Sequence, residues 1–544
     1  MKWKLITITL LIAFFNTYSQ NTEIADVQWG TSSKVKRGLA YRGVIGYEGE
    51  NMIAIMSNMS IKETKQVYFP SSKYTIVKVD SKLRTIKEEE VKLKVEKYRS
   101  DLKKIIQLGD DIYFFLSYEN TKTDKQVLVA KKLNKSTLVP QPEGKVLAEV
   151  DFNSSSWDRT EFHVEISDDS SKVLVYNKVL SEDKEANEFI LSVYNKDLNE
   201  LWSEKIELPY DPDLYQVESV KLDNSGNAHV LGKLYDSKNW MGKAKGKKNG
   251  KVNYGFKLLS FYQRGKIKKE YNIELKDKFL NNLTIRFDEN ENILCAGFYS
   301  EEEEVNVKGI YFLRVDSKTK KVEVKSYEDF IVQHLKEISS EKGQKRIDRK
   351  IAKGKNIELD NFYIDHMMVK NDGSILLVAE EFYATQTYEP GMNGGSTTRT
   401  EYNFGNILLV NIDPEGNINW TDHIFKLKTG FFYSSYDMAS VNGKVFFIYN
   451  TACDRLDAGQ EESPKLLFSN NQCAALIEYD TDGNKTEHIL YRSKEVDMML
   501  VPNGCQQISE NEMMISNYLG RKAALARIKF QNDNRSERSN SPNQ

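Results

Sequence analysis

The chain alternates apolar and polar residues over short runs, and turn-forming residues separate successive runs. An alternation of period two places every second side chain on one face of an extended strand. Aspartate, asparagine and glycine between two such runs favour a tight turn, because they tolerate a positive φ angle. The pattern therefore predicts β-hairpins that recur along the chain. The clearest examples span residues 222–228, 287–293, 369–375, 412–418 and 479–485.

Two series of hairpin turns divide the chain into eight units. The turns of the first series fall near Glu48, Asp110, Asp168, Asn224, Glu289, Asn371, Asn442 and Glu510. The turns of the second series fall near Asp80, Asn134, Lys196, Arg264, Ser317, Pro414 and Thr481. Seven units therefore carry four strands each, and the eighth, residues 506–530, carries three. The extended segment 24–29 could supply the missing strand.

A repeated four-stranded unit predicts an all-β fold, and four-stranded sheets arranged radially form a β-propeller. We predict eight four-stranded blades, with seven as the alternative because a diverged unit is easily split or merged. Pairing of segment 24–29 with the last unit would close the ring and remove its unpaired edges. We assign residues 20–530 to this single domain and expect the polar tail 531–544 to be disordered.

The segments that connect the strands are unequal in length. Hairpin turns stay short, whereas the longest segments follow the second or fourth strand of a unit, as at 236–255, 384–405 and 454–472. These segments lie on the same face of a four-stranded meander, and repeat proteins usually bind through the face that carries their insertions. Residues 331–360 break the strand pattern with apolar residues at helical spacing. We predict two short helices there, divided at Gly343.

The N-terminus has the pattern of a secretory signal peptide over residues 1–19. Lys2 and Lys4 precede an apolar stretch, and small residues precede a cleavage point near Gln20. An uncleaved anchor is the alternative, but the stretch is short for a bilayer. We therefore expect export to the periplasm or the extracellular space, without a membrane span. The net charge of −2 gives no basic footprint for nucleic acid.

Four cysteines are too few for a disulfide scaffold, and their spacing matches no zinc site. Cys453 ends one predicted strand and Cys473 begins the next, so a disulfide between them would staple the base of a long loop. Two separate buried thiols are the alternative. Cys295 lies in an apolar run and is interpreted as a core residue.

No catalytic or metal-binding motif is found. The Asp/Asn/Gly turns are too short for calcium loops, and turn geometry explains them. The six histidines are scattered, and His229 and His366 in predicted strands are interpreted as satisfied core or edge residues. We predict no metal and no cofactor. A glycoside hydrolase or polysaccharide lyase would need a pair of carboxylates that the sequence does not identify.

Two kinds of side chain are candidates for ligand binding. The segment 383–402 combines Tyr383, Tyr388 and Tyr402 with small polar residues, a composition typical of recognition loops. A long, solvated hairpin arm is the alternative. Basic segments with a nearby aromatic residue form the second kind, and their candidate residues are Trp240, Lys345, Arg349 and Lys353. They could attract a polyanion if they share one face, although a charge run is more often simply solvated.

Two second hairpins resemble a known repeat. Residues 408–420 and 191–202 each combine a strand, an Asp- or Asn-containing turn and a tryptophan. They resemble the tryptophan-docking repeats of quinoprotein-like β-propellers. The catalytic members carry an adjacent cysteine pair, which this chain lacks, so the resemblance implies a scaffold or a binding module. The leader and the Lys/Asn/Ile-rich composition also look like exported proteins of Bacteroidota-type bacteria.

These observations predict an exported, non-catalytic binding or scaffold protein. It would recognise a protein or a glycan at the cell envelope through the face that carries the long segments. A propeller glycoside hydrolase or polysaccharide lyase is the alternative. The sequence leaves the oligomeric state open.

Overall fold

The computed structural model describes residues 19–21, 24–58, 74–151, 161–179, 187–239, 243–337, 339, 341–390, 396–459 and 471–531. These residues form eight antiparallel sheets of four or more strands, together with two short two-stranded ladders. We number the sheets 1 to 8 in chain order. Among the described residues, no helix has the length and apolarity needed to cross a bilayer. The predicted leader up to residue 18 and the tail from residue 532 lie outside the described residues.

Sheets 1 to 4 contain four consecutive strands each. Sheet 1 comprises Ala40–Glu48, Asn51–Ser57, Tyr74–Val79 and Thr85–Val91. Sheet 2 comprises Tyr98–Leu108, Asp111–Asn120, Lys125–Asn134 and Lys145–Asp151, with the short strands Lys94–Val95 and Val139–Pro140 beside them. Sheet 3 comprises Phe162–Ile166, Lys172–Val179, Asn187–Asn195 and Glu200–Leu208. Sheet 4 comprises Tyr215–Leu222, Ala228–Tyr235, Tyr254–Tyr262 and Ile267–Ile273.

Sheets 5 to 7 repeat this order. Sheet 5 comprises Phe279–Phe287, Ile293–Ser300, Gly309–Val315 and Val322–Asp329. Sheet 6 comprises Phe362–Val369, Ile375–Pro390, Ser396–Ile412 and Ile418–Ile424, with Lys428–Thr429 beside them. Sheet 7 comprises Tyr436–Val441, Lys444–Ala452, Gln472–Tyr479 and Lys485–Arg492. The two ladders are Lys247–Lys248 with Lys251–Val252, and Asn306–Val307 with Leu359–Asp360.

Sheet 8 combines the two ends of the described chain. Its consecutive strands are Gln506–Ser509, Glu512–Leu519 and Lys522–Phe530, and Ala25–Trp29 pairs antiparallel with the last of them. The short strands Ser19–Asn21, Ser33–Lys34 and Met499–Leu500 also join this sheet. The predicted pairing of the upstream segment with the last unit is therefore confirmed.

Each sheet shares a hydrophobic cluster with the next one in chain order. The second strand of sheet 5, Ile293–Ser300, is buried throughout, whereas the fourth strand, Val322–Asp329, is mostly exposed. The central strands therefore supply apolar side chains on both faces, one towards each neighbouring sheet. Clusters link sheets 1–2, 2–3, 3–4, 4–5, 5–6, 6–7 and 7–8. An eighth cluster links sheet 8 back to sheet 1 through Tyr518 and Tyr41.

Two helices lie between sheets 5 and 6, as the sequence predicts. They are α1, Val332–Glu337, and α2, Glu341–Ala352. Leu335 and Ile347 anchor them in the cluster between sheets 5 and 6. The prediction that Gly343 divides the helices is wrong, because the chain leaves the helix between Glu337 and Glu341 and Gly343 lies in the first turn of α2. Glycine lowers helix stability by only about 1 kcal/mol, so packing outweighs it.

Two short helices, α3 and α4, cover sheets 7 and 8. They span Cys453–Asp457 and Ser493–Val496, and a 3₁₀ turn follows at Pro502–Gly504. The disulfide between Cys453 and Cys473 is present, which confirms that prediction. Cys295 is a buried free thiol, as expected for a core residue.

Trp202 and Trp420 occupy the fourth strands of sheets 3 and 6 and reach the following sheet. The Trp202 indole donates to the carbonyl of Gly226 at 3.0 Å. The Trp420 ring covers Gly483, where a Cβ atom would meet the ring at 2.7 Å and the φ angle is +86°. Both tryptophans therefore tie one sheet to a hairpin turn of the next.

Candidate functional site

The connections between strands differ on the two faces of the sheet array. Hairpin turns such as 288–292 and 480–484 are short, and an Asp side chain closes each by accepting backbone N–H bonds. The segments that follow second and fourth strands are longer and include 236–253 and 330–361. We call the first side the turn face and the second side the loop face. In an antiparallel meander these long segments share the loop face, as predicted. The connection 135–144 of sheet 2, which includes the short strand Val139–Pro140, is an exception on the turn face.

A β-arm projects from sheet 6 on the loop face. The strands Ile375–Pro390 and Ser396–Ile412 stay paired out to Pro390 and Ser396. Tyr388 lies on this arm and is 70% exposed. The segment is therefore a long hairpin arm, which was the alternative to a recognition loop. It exposes one large aromatic side chain, Tyr388, to solvent.

The three candidate tyrosines do not form one patch. The register pairs Tyr383 with Asn403 and Ala384 with Tyr402, so Tyr383 points to the opposite side of the arm from Tyr402 and Tyr388. Tyr402 packs at the base of the arm against the Phe431 ring, with ring centroids 4.6 Å apart. Burial raises the pKa of the Tyr383 hydroxyl, and the charge of Glu381 adds to this. Tyr388 is the candidate that remains available to a partner.

The basic candidates on the helical insertion share one side of α2. Lys345 and Arg349 lie four residues apart, and Lys353 follows in the turn after the helix ends. All three are exposed, and none forms an ion pair with a described residue. They therefore present three exposed positive charges to solvent.

The second basic segment lies against an acidic one. In this segment, residues 240–251, Lys247 forms an ion pair with Glu303 at 2.8 Å and donates to the carbonyl of Glu302 at 2.9 Å. The segment thus neutralises part of the acidic run 301–304 rather than joining the exposed charges of α2. Trp240, the aromatic candidate of this segment, lies outside the described residues.

A cavity of about 190 Å³ lies beneath α2. The helix covers one side, and the entry strand of sheet 6 and the base of the arm form the other. Its lining is mixed, with apolar, basic and acidic side chains. The lining residues are Ser339, Gly343, Arg346, Ile347, Lys350, Ile357, Glu358, Leu359, Asp360, Phe362, Glu381 and Asn406.

Three carboxyl groups of the cavity differ in their environment. Glu358 is buried and accepts bonds from the Glu301 N–H at 2.7 Å and from the Asn306 amide at 2.9 Å, so it holds the structure together. Asp360 is half-exposed and lies 3.8 Å from Arg346. Burial raises the pKa of Glu381, and the charge of Asp360 raises it further. The Asn406 N–H, which donates to Glu381 at 3.3 Å, and the charge of Lys426 oppose this rise in the pKa without cancelling it.

A buried ion pair involves Glu380, which precedes the cavity residue Glu381 in the chain. Glu380 and Lys426 form a salt bridge and are both fully enclosed, and Ser435 donates to Glu380 at 2.9 Å. Burial lowers the pKa of the neighbouring Lys428 to about 8, and the charge of Lys426 contributes. Lys428 donates to Gln472 of sheet 7, so this network also fixes sheet 6 to sheet 7.

Ser260, His229 and Asp223 are arranged like a catalytic triad. His229 lies 2.9 Å from the Ser260 hydroxyl and 3.3 Å from the Asp223 carboxylate. All three are buried, and the serine is 0% exposed, so no substrate can reach the hydroxyl. The arrangement satisfies polar groups in the core, which confirms the interpretation of His229 as a core residue.

Sequence reasoning missed the cavity residues Glu381, Arg346 and Lys350. Arg346 and Lys350 lie on α2 with the predicted basic residues, but no local sequence pattern identifies Glu381. Within the described part of the chain, no group of three or more His, Cys, Asp or Glu side chains is placed to hold a metal ion.

No protein-family model and no curated protein matches the chain. Solved structures with a weak likeness include the β-propeller domain of the Trilobed protease from Pyrococcus furiosus, at 12% identity over 83% of this chain and 95% of that one, with a TM-score of 0.34. Polysaccharide lyase Uly1 matches at 9% identity over 90% and 89% of the two chains, with a TM-score of 0.36. An acylaminoacyl peptidase matches at 10% identity over 87% and 57%, with a TM-score of 0.33. The strands described above make the described part of the chain mostly β. Its structural neighbours include β-propellers at low similarity.

Proposed function

We propose that the eight sheets are the blades of a closed β-propeller. Two observations support this arrangement. Hydrophobic clusters join each sheet to the next and join sheet 8 to sheet 1. The strand Ala25–Trp29 completes the last sheet, which leaves no unpaired edge between the ends of the chain. The relationship to quinoprotein-like repeats remains a proposal that rests on Trp202 and Trp420.

On this scaffold, the protein acts as an exported, non-catalytic binding or scaffold protein. It recognises a protein or a glycan at the cell envelope through the loop face. The observation that carries this proposal is Tyr388, a large aromatic side chain that is 70% exposed on a paired arm. A rigid aromatic ring of this kind stacks on sugar rings and anchors protein interfaces at low entropic cost.

The disulfide supports export. Structural disulfides form and persist in oxidising compartments and are rare in the cytosol. Cys453 and Cys473 are fully buried and bonded, as expected for a protein that folds outside the cytosol. We therefore propose that the mature chain resides in the periplasm or the extracellular space.

Binding through the arm can be tested with a glycan array and immobilised envelope proteins. Tyr388→Ala should weaken binding by about tenfold or more, since exposed aromatic anchors contribute about 2 kcal/mol. Ile86→Ala is the matched control, because Ile86 is 53% exposed and begins the fourth strand of sheet 1, next to a hairpin turn. Equal binding by both variants and the wild type would remove the arm from the proposal.

The exposed charges of α2 test a polyanionic partner. Reversing Lys345, Arg349 and Lys353 to glutamate should abolish binding to acidic glycans and flatten its dependence on salt. The three side chains have no ion-pair partner among the described residues, so their reversal should leave the unfolding midpoint nearly unchanged. An unchanged salt dependence would identify them as a solvated surface.

Glu381 favours a second candidate, a propeller glycoside hydrolase or polysaccharide lyase. A partly buried carboxyl with a raised pKa near the charged carboxylate of Asp360 is the pairing that an acid/base mechanism uses. Chromogenic glycosides and uronate polymers would reveal turnover. Turnover that Glu381→Gln abolishes would establish the enzyme and overturn the non-catalytic proposal.

A further inference from the structure

Four charged side chains meet on the first strands of sheets 2 to 5. Three of them stand at the same register position, two residues before a hairpin turn begins, so they lie at the same height near the turn face. The fourth, Lys104, lies in the middle of the first strand of sheet 2, and its side chain extends towards the other three. The four residues are Lys104, Glu165, Lys221 and Arg286.

The Glu165 carboxylate forms ion pairs with two of the three cations. Glu165 lies 3.3 Å from the Lys104 ammonium and 3.6 Å from the Lys221 ammonium. Arg286 is close enough for its charge to act on Lys221, yet its described hydrogen bond goes to the carbonyl of the adjacent Ile285, at 3.2 Å. The cluster therefore holds three positive charges against one negative charge.

The surplus charge is partly removed from water. Burial lowers the pKa of Lys221, Glu165 opposes this shift, and the charges of Arg286 and Lys104 add to it. The Lys104 and Lys221 side chains nevertheless keep 31% and 25% of their surface exposed. Both lysine side chains are therefore partly open to solvent. A second anion would relieve the repulsion among the three cations.

The surrounding turns hold the cluster in place. The Asp169 N–H donates to the Asn224 side chain at 3.0 Å, and the Asn224 N–H donates to Glu291 at 2.9 Å. These bonds fix the turns of sheets 3, 4 and 5 to one another. The Glu291 carboxylate also accepts from the Ser225 N–H, so it is occupied by backbone donors. Cations on a rigid frame lose little freedom when they bind a ligand.

We propose that Lys104, Lys221 and Arg286 bind the oxyanion group, carboxylate or phosphate, of a small acidic ligand. The guanidinium can donate two parallel bonds to such a group, and the two ammonium groups supply further charge-assisted bonds. The site lies towards the turn face and is separate from the cavity and the arm. The proposal for this site therefore does not depend on whether the loop face binds the proposed partner.

Calorimetric titration of the purified full chain tests the site. Inorganic phosphate and glucuronate serve as probes for the two sources of oxyanion, at constant ionic strength with chloride as the balancing salt. Lys221→Gln and Arg286→Gln should each weaken binding by about tenfold, the loss expected for one charge-assisted contact. Lys269→Gln is the matched control, since it removes one exposed positive charge from the fourth strand of sheet 4, outside every proposed site, and it should bind as the wild type does.

If Lys221→Gln and Arg286→Gln fail to fold, the Glu165→Gln variant still tests the proposal. It removes the carboxylate that competes for the same cations, so it should tighten anion binding by several-fold. A damaged fold cannot produce that gain. Heat signals that are equal in the wild type, Lys221→Gln and Arg286→Gln, or unchanged affinity in Glu165→Gln, would overturn the proposal. Preference between phosphate and glucuronate would show which oxyanion the site selects.

Discussion

Removal of the Cys453–Cys473 bond should cost the protein about 3 kcal/mol of stability. The two cysteines are 20 residues apart, and closing a loop of that size restricts the unfolded chain by about this amount. The bond joins the end of one central strand of sheet 7 to the start of the other, so it constrains the segment that includes α3. Both sulfur atoms are buried, and reduction therefore occurs when the chain opens.

Equilibrium unfolding in urea, with and without dithiothreitol, measures this contribution on identical side chains. The unfolding midpoint of the wild type should fall in the reductant, by an amount that corresponds to about 3 kcal/mol. A variant carrying both Cys453→Ala and Cys473→Ala is the control, and the reductant should not shift its midpoint. Wild-type midpoints that coincide under the two conditions would refute the argument from chain entropy.

Three further predictions follow from buried groups. Val27→Asp should lower stability by about 3 kcal/mol or more, because it places an unpaired charge between sheets 7 and 8, whereas the exposed Gln28→Asp on the same strand should be nearly neutral in thermal unfolding. His229→Ala should cost about 2–3 kcal/mol in urea unfolding, because it removes the imidazole partner of the buried Ser260 hydroxyl and one of the partners of the buried Asp223 carboxylate, and a neutral result would deny the network a structural role. Since burial raises the pKa of Glu381 above its ordinary 4.5, the folded state should lose stability as the pH rises past that value. Glu381→Gln should therefore be more stable than the wild type at neutral pH and equal to it in acid, and a constant difference would contradict the raised pKa.

The hairpins could be predicted because their causes are local. A turn such as 480–484 needs only Asp480 to accept its backbone N–H groups and Gly483 to supply a positive φ angle. Alternation then determines which side chains face the core. The upstream strand was predicted for a different reason, since the last unit lacked one strand. The disulfide followed from the positions of two cysteines at facing strand ends.

The site residues depend on contacts that a local pattern does not contain. A register shift between Glu380 and Phe382 changes which side chains point inwards, so Glu380 is fully buried and Tyr383 faces away from Tyr402. The alternation of apolar and polar residues gives no sign of that bulge. The cavity likewise requires α2 to pack over Glu381, and long-range packing decides this.

Because the strand Ala25–Trp29 pairs with the last described strand, sheet 8 can form only when the chain is complete up to that strand. The two strands lie almost a full chain length apart in the sequence. Such distant contacts fold slowly, and one edge of Ala25–Trp29 stays unpaired until Lys522–Phe530 is made, which leaves that edge prone to aggregation. A chain that ends before Lys522–Phe530 would leave sheet 1 without its contact to sheet 8. Proteolysis of the unfinished array, rather than loss of any single contact, should then remove truncated chains from the cell.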